Sequence, residues 1–107
     1  MKIVRTSRYI RDLKRLRAST EDVVRLEQAI AGDPTAGDVI PGLGGIRKLR
    51  FGIGSRGKRG GGRAIYFLML TDDTAVMIFA YAKNEQEDLT TEQRKAALAL
   101  VKELTDD

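Results

Sequence analysis

Apolar residues recur along this chain with two periods, and the switches between them mark its predicted elements. Lys2–Arg5 has the alternation of a short first strand. Ser7 then opens a helical pattern. Tyr9, Ile10, Leu13 and Leu16 fall on one stripe, with Arg8, Arg11 and Arg15 on the opposite side. Ser19, followed three residues later by Asp22, has the form of a capping box, in which each side chain serves the other's backbone N–H. Val23, Leu26 and Ile30 give this second helix its apolar stripe, and Gly32-Asp33-Pro34 ends it.

Residues 33–45 are rich in Gly and Pro and are expected to form a connecting loop. Strand patterns follow at 46–53, 63–71 and 75–83, and Thr71-Asp72-Asp73-Thr74 is expected to turn the last two into a hairpin. The final strand is apolar on both faces, through Val76 and Ile78 on one parity and Met77 and Phe79 on the other, as a central strand requires. Thr90 and Gln93 repeat the capping pattern, and Ala97, Leu100, Val101 and Leu104 stripe a C-terminal helix. The order β-α-α-β-β-β-α predicts an α+β fold. Its antiparallel-rich twisted sheet must hide an apolar face under the two N-terminal helices, with a further helix at the C-terminus. No repeat or linker interrupts the pattern, so residues 1–107 are read as one domain.

Composition narrows the chemistry. The chain has no Cys and no His. That removes disulfides, thiolate chemistry, the commonest neutral-pH base and the commonest transition-metal ligand. Acid–base work falls to Lys, Arg, Tyr, Asp or Glu, and neither a metal site nor a cofactor is expected. No segment approaches the ~18 consecutive apolar residues of a membrane span. The start of the chain lacks the apolar core of a signal peptide. The expectation is a cytoplasmic protein with no membrane partner.

The net charge is +4, and its distribution says more than its sum. Residues 1–17 hold seven Lys/Arg and one acid, Asp12; residues 39–71 hold seven more and no acid. Such segregation predicts one cationic face, whose natural partner is a polyanion. Nine of the eleven glycines lie between Gly42 and Gly62. Within them GIGSRGKRGGG contains G-x-x-x-x-G-K, the outline of a phosphate-binding P-loop. That reading fails, because Arg59 stands where Ser or Thr is needed and the stretch joins two strands rather than a strand and a helix. It is read instead as a hairpin loop carrying Arg56, Lys58 and Arg59, whose glycine-rich backbone can lie close to a phosphate chain. A solvated tip is the alternative.

Strand parity groups the remaining cations. Lys48 and Arg50 share a face, while Arg47, Leu49 and Phe51 point the other way. Arg63 follows the glycine loop directly, and Tyr81 and Lys83 share a face near the end of the last strand. Converging at one concave edge, they could stabilise charge at a reacting phosphate. Neighbouring cations also lower a lysine pKa from its reference of ~10.4, which makes a lysine a candidate proton shuttle. A face that only grips RNA is equally consistent with these residues.

Three blocks in order, GDVIPGLGGIRKLRF, GKRGGGRAIYFL and IFAYAKNEQEDLT, resemble toxins of the RelE superfamily and especially its HigB-like branch. The resemblance covers about residues 7–104. It implies a toxin of a type II toxin–antitoxin system that enters the ribosomal A site and cuts mRNA, and that a helix-turn-helix antitoxin neutralises. The implied chemistry is metal-independent attack of a ribose 2′-OH on the adjacent phosphate, with the ribosome orienting the mRNA. Residue by residue, Lys48 and Arg50 match the family's basic second strand. Arg63 matches the arginine that begins the next strand, and Lys83 the basic residue that ends the last. Arg47, Arg56, Lys58 and Arg59 are assigned to RNA or ribosome binding. Where the family often adds an arginine and a tyrosine, this chain has Asn84 and Thr90. The proton acceptor is therefore Lys83, Lys48 or Tyr81, and Tyr81 could instead stack on a base. Two other functions remain: a ParE-like gyrase inhibitor with the same fold, and a nucleic-acid-binding module without activity.

Overall fold

The computed structural model describes residues 1–54 and 61–105. Its elements in chain order are β1 (Lys2–Arg5), α1 (Ser7–Arg15), α2 (Thr20–Gly32), β2 (Asp38–Val39), β3 (Arg47–Phe51), β4 (Gly62–Met69), β5 (Thr74–Ala82) and α3 (Thr91–Thr105). The five strands form one sheet in the order β1-β5-β4-β3-β2. β1 runs parallel to β5, and every other pairing is antiparallel. The α+β class and the antiparallel-rich sheet agree with the sequence pattern. The loop at 33–45 differs, because Asp38 and Val39 pair with Lys48 and Arg47 as a short edge strand. Two residues are too few to show a period of two.

Both predicted capping boxes form. The Ser19 hydroxyl accepts from the Asp22 N–H at 3.0 Å, while Asp22 Oδ2 accepts from the Ser19 N–H at 2.9 Å. Thr90 and Gln93 exchange the same pair of bonds at 2.9 and 3.1 Å. The expected hairpin between the last two strands forms, with its turn a 3-10 segment over Leu70–Asp72 closed by Asp73 at φ 49°. In α1 the buried side is Tyr9, Leu13 and Leu16, whereas Ile10 is 42% exposed. Positions i, i+4 and i+7 lie along one line, and Ile10 sits about a quarter-turn off it. Nor do Arg8 and Arg15 simply face away from the sheet. The Arg8 guanidinium lies 4.6 Å over the Phe79 ring, and Arg15 donates to the Ala80 carbonyl at 3.1 Å.

The sheet is covered on both faces. Tyr9, Leu13, Leu16, Leu26 and Ile30 of the N-terminal half lie against Phe51, Ala64, Tyr66 and Met77. Ala97 and Val101 of α3, with Leu43 and Ile46 before β3, lie against Ile65, Phe67, Val76 and Tyr81. Fully burying each large aliphatic side chain of this kind contributes about 1.5–3 kcal/mol. Every residue of β5 is buried.

One irregularity in β5 decides which side chains reach which face. Ile65 pairs with Phe79, but the next residue, Tyr66, pairs with Met77, which leaves Ile78 as an extra residue. A bulge of this kind re-phases everything beyond it. Ile78 and Phe79 both enter the α3-side core, and Tyr81 follows them there, while Ala80 and Ala82 join Met77 on the opposite face.

The loop between α2 and β3 is held by specific polar contacts. The buried Tyr66 hydroxyl accepts from the Gly37 N–H at 3.0 Å and donates to the Pro34 carbonyl at 2.9 Å. A Cβ on Gly37 would lie 2.8 Å from that hydroxyl, so only glycine allows the approach.

Candidate functional site

Strand register builds the site. Arg50 pairs with Arg63, and Arg63 pairs with Tyr81, so the three stand in a row across β3, β4 and β5. Lys48 shares the face of Arg50, and Lys83 follows β5 in a turn. A cavity of about 710 Å³ opens at this end of the sheet, and Lys48, Arg50, Arg63 and Lys83 all line it. Four cations from three segments thus meet in one concavity. The cavity also has three acidic residues in its wall: Asp38, Glu87 and Asp88.

The cations differ in how they are held. Arg63 is only 7% exposed, and its Nη1 donates to the Gly62 carbonyl at 3.1 Å. Its backbone is fixed by the tight entry of β4. A Cβ on Gly62 would lie 2.5 Å from the Phe51 ring, so the strand must start on a glycine there. Lys48 is half-buried and pairs with the exposed Asp88 at 3.3 Å. Arg50 and Lys83 are exposed.

Tyr81 lies beneath the cavity rather than in it. Its ring is fully buried and its hydroxyl reaches the Glu87 carbonyl at 3.5 Å. Burial raises its pKa, the charge of Asp88 adds to this, and Arg63 opposes it. Arg47, by contrast, turns to the other face, where Nη1 donates to the Gly37 carbonyl at 2.7 Å and the Thr35 carbonyl at 3.3 Å. It fastens the loop. Arg56, Lys58 and Arg59 lie outside the described residues.

The acidic rim was not anticipated from the sequence. Glu87 and Asp88 follow Lys83 closely in the chain, a visible hint. Asp38 had no such hint, because it reaches the site only through the β2 pairing that sets it opposite Lys48. Among the described residues, no three His, Cys, Asp or Glu side chains gather as they would to hold a metal ion. Nor is any described helix long and apolar enough to cross a membrane.

Comparison with known proteins gives two findings. A family model described as the RelE toxin of the RelE / RelB toxin–antitoxin system matches residues 1–106. Among solved structures, the chain is similar to the free state of E. coli toxin RelE carrying two Arg-to-Ala substitutions. The TM-score is 0.57 at 15% sequence identity, with 94% of this chain and 96% of that one covered. At this identity the match speaks for the fold.

Proposed function

This chain belongs to the RelE toxin family of toxin–antitoxin systems, and from that premise we propose a ribosome-dependent endonuclease that cuts mRNA in the A site without a metal. The observation that carries the reading is the convergence of Lys48, Arg50, Arg63 and Lys83 on one cavity. A phosphodiester undergoing attack gathers negative charge, and donors fixed in place before the reaction stabilise it. Arg63 has the planar fork that holds two phosphate oxygens at once, and its backbone is immobilised beside Gly62. Arg50, exposed on the neighbouring strand, is suited to the flanking phosphate.

In this mechanism the ribose 2′-O forms a bond to the adjacent phosphorus, and the bond to the 5′-oxygen of the next nucleotide breaks. A cyclic phosphate and a 5′-hydroxyl result. The proton leaves the 2′-OH for Lys48 or Lys83 acting as the neutral amine, and the other of the two, as the ammonium, gives a proton to the departing 5′-oxygen. Tyr81 is poorly suited as the acceptor. Its raised pKa makes phenolate scarce at neutral pH, and its buried ring is not offered for stacking on a base. The ribosome's contribution is to hold the mRNA in line for attack, which spares the protein a strong base. An antitoxin partner follows from the family, and its helix-turn-helix character and the HigB-like branch are part of this proposal, resting on the three sequence blocks.

The test is purified protein added in parallel to programmed ribosomes, to the same mRNA free in solution, and to DNA gyrase. Cleavage of the translated message with little cleavage of the free one is expected. Equal cleavage of both removes the ribosome from the mechanism. Loss of supercoiling activity without RNA cleavage replaces the reading with gyrase inhibition. Expression in bacteria should arrest growth unless the antitoxin is supplied.

A further inference from the structure

The two edges of β5 are held differently. On one side β4 accompanies it to its end, and beyond the last pair the Lys83 N–H donates to the Gly61 carbonyl at 3.1 Å. On the other side β1 pairs only with Thr74 to Met77. Past that point no strand is present among the described residues, and side chains take over the backbone groups a strand would have satisfied. The Thr6 hydroxyl donates to the Ile78 carbonyl at 3.0 Å. Asp12 Oδ2 accepts from the Ala80 N–H at 3.0 Å, and Arg15 Nη2 donates to the Ala80 carbonyl at 3.1 Å. Glu85 then serves Ala82 twice. Its Oε1 accepts from the Ala82 N–H at 2.9 Å, and its own N–H donates to the Ala82 carbonyl at 3.0 Å. These bonds close the turn Ala82-Lys83-Asn84-Glu85, with Lys83 in its second position.

Arg15 joins these supports together. Its Nη2 reaches Glu85 Oε1 at 2.8 Å, its Nε reaches Oε2 at 3.3 Å, and its Nη1 meets the Asp12 carboxylate. The contact between Arg15 and Glu85 is a two-point fork, which fixes orientation as well as distance. We propose that Asp12, Arg15 and Glu85 are positioning residues that aim Lys83 into the cation cavity from outside it. None of the three lines the cavity. They act through the backbone of Ala80 and Ala82 and the turn that follows. The inference rests on reading that cavity as the mRNA cleavage site. Displacing a reacting group by ~1 Å costs on the order of 10²-fold in rate, so a loosened turn costs turnover rather than binding.

The test uses the full chain with Arg15→Lys, Glu85→Ala and Glu85→Gln. It reads cleavage of ribosome-bound mRNA as kcat and KM, and backbone amide exchange at Ala80, Ala82 and Lys83. Arg15→Lys keeps the charge and loses the fork. It is expected to lower kcat by about 10- to 100-fold with KM near that of the parent. Glu85→Ala should do the same and should speed exchange at Ala82 and Lys83. Glu85→Gln, which keeps an acceptor for the Ala82 N–H, should recover part of the loss. Parent-like kcat in both Arg15→Lys and Glu85→Ala overturns the proposal, as does a loss that merely follows the unfolded fraction. If the parent itself cuts no ribosome-bound mRNA, the functional reading falls instead. The amide arm then still decides whether the clasp exists: unchanged exchange in Glu85→Ala overturns it, and faster exchange at Ala82 and Lys83 upholds it.

Discussion

The two faces of the sheet use arginine in opposite ways. Under α1 and α2, buried polar groups are enclosed and matched. Glu27 is 8% exposed, and it takes Arg5 Nε at 2.9 Å, Arg5 Nη2 at 2.5 Å and the Tyr9 hydroxyl at 2.9 Å. Asp22, 2% exposed, accepts from Ser19, Gly54 and Arg25. On the α3 face the helix covers the middle of the sheet and leaves its end open, and there four cations share a cavity with three exposed carboxylates. A carboxylate that is buried and multiply bonded locks a fold. Exposed ones at a cavity rim are exchanged at little cost for a phosphate. Both faces carry an apolar core, but only the α3 face leaves a group of cations around an open cavity.

The strongest test of this contrast is Arg63→Ala. If the open end is the cleavage site, mRNA cutting should fall by about 10²–10³-fold, the scale of one lost oxyanion donor. Ribosome binding should persist and melting should stay close to the parent's. Arg63→Lys should also be impaired, since a point charge cannot hold two oxygens. Early melting with normal cleavage per folded molecule would instead make Arg63 a structural residue, and the contrast between the faces would fail at its centre.

The complementary substitution on the closed face is Tyr9→Phe. It removes a buried hydrogen bond to a carboxylate, for which about 1.5–3 kcal/mol is typical. Chemical denaturation should show a loss of that order, with cleavage per folded molecule unaltered.

A smaller effect separates the faces by pH. Burial pushes Asp22 upward, but bonds from the Ser19 and Gly54 N–H groups and the charge of Arg25 outweigh it, so its folded pKa lies below the ordinary carboxylate range. A depressed pKa contributes stability that is present above the unfolded value of ~3.9 and is lost as pH falls through the folded one. Stability should therefore decline on acidification through that range. Asp22→Asn should flatten part of the decline and cost about 0.3–1 kcal/mol at neutral pH through the lost charge at the α2 N-terminus. An unchanged acid profile would show that the carboxylate adds nothing beyond its hydrogen bonds.

The smallest expected effect is at the rim. Asp88→Asn frees Lys48 from its 3.3 Å pair. RNA or ribosome association should tighten slightly and depend more steeply on salt, because one more cation is available to phosphate. An unchanged salt slope would mean that Lys48 is not a phosphate contact.

Much of this was legible in the chain itself. The helices and every strand but β2 followed from periodicity, and both capping boxes from Ser19 and Asp22 and from Thr90 and Gln93, because these are local interactions that the sequence states directly. The shared face of Lys48 and Arg50 followed from strand parity. Parity failed as a guide in β5, where the extra Ile78 reverses the phase, so that Phe79 lies with Ile78 rather than with Met77. A bulge is set by the partner strand's register and leaves no mark in the composition of its own strand.

The place of Asp38 at the rim, the loop-fastening role of Arg47 and the Arg15–Glu85 clasp were equally invisible. Arg15 and Glu85 are 70 residues apart, and which acid neutralises which base is decided by the fold that brings them together. The sequence by itself determined the elements, the class and the supply of cations, since hydrophobic period, capping and charge are properties of neighbours. Only the tertiary structure decided which acids each cation meets and which cations line the open cavity. Electrostatic pairing is a matter of distance in space, and that distance exists only once the sheet has closed its register.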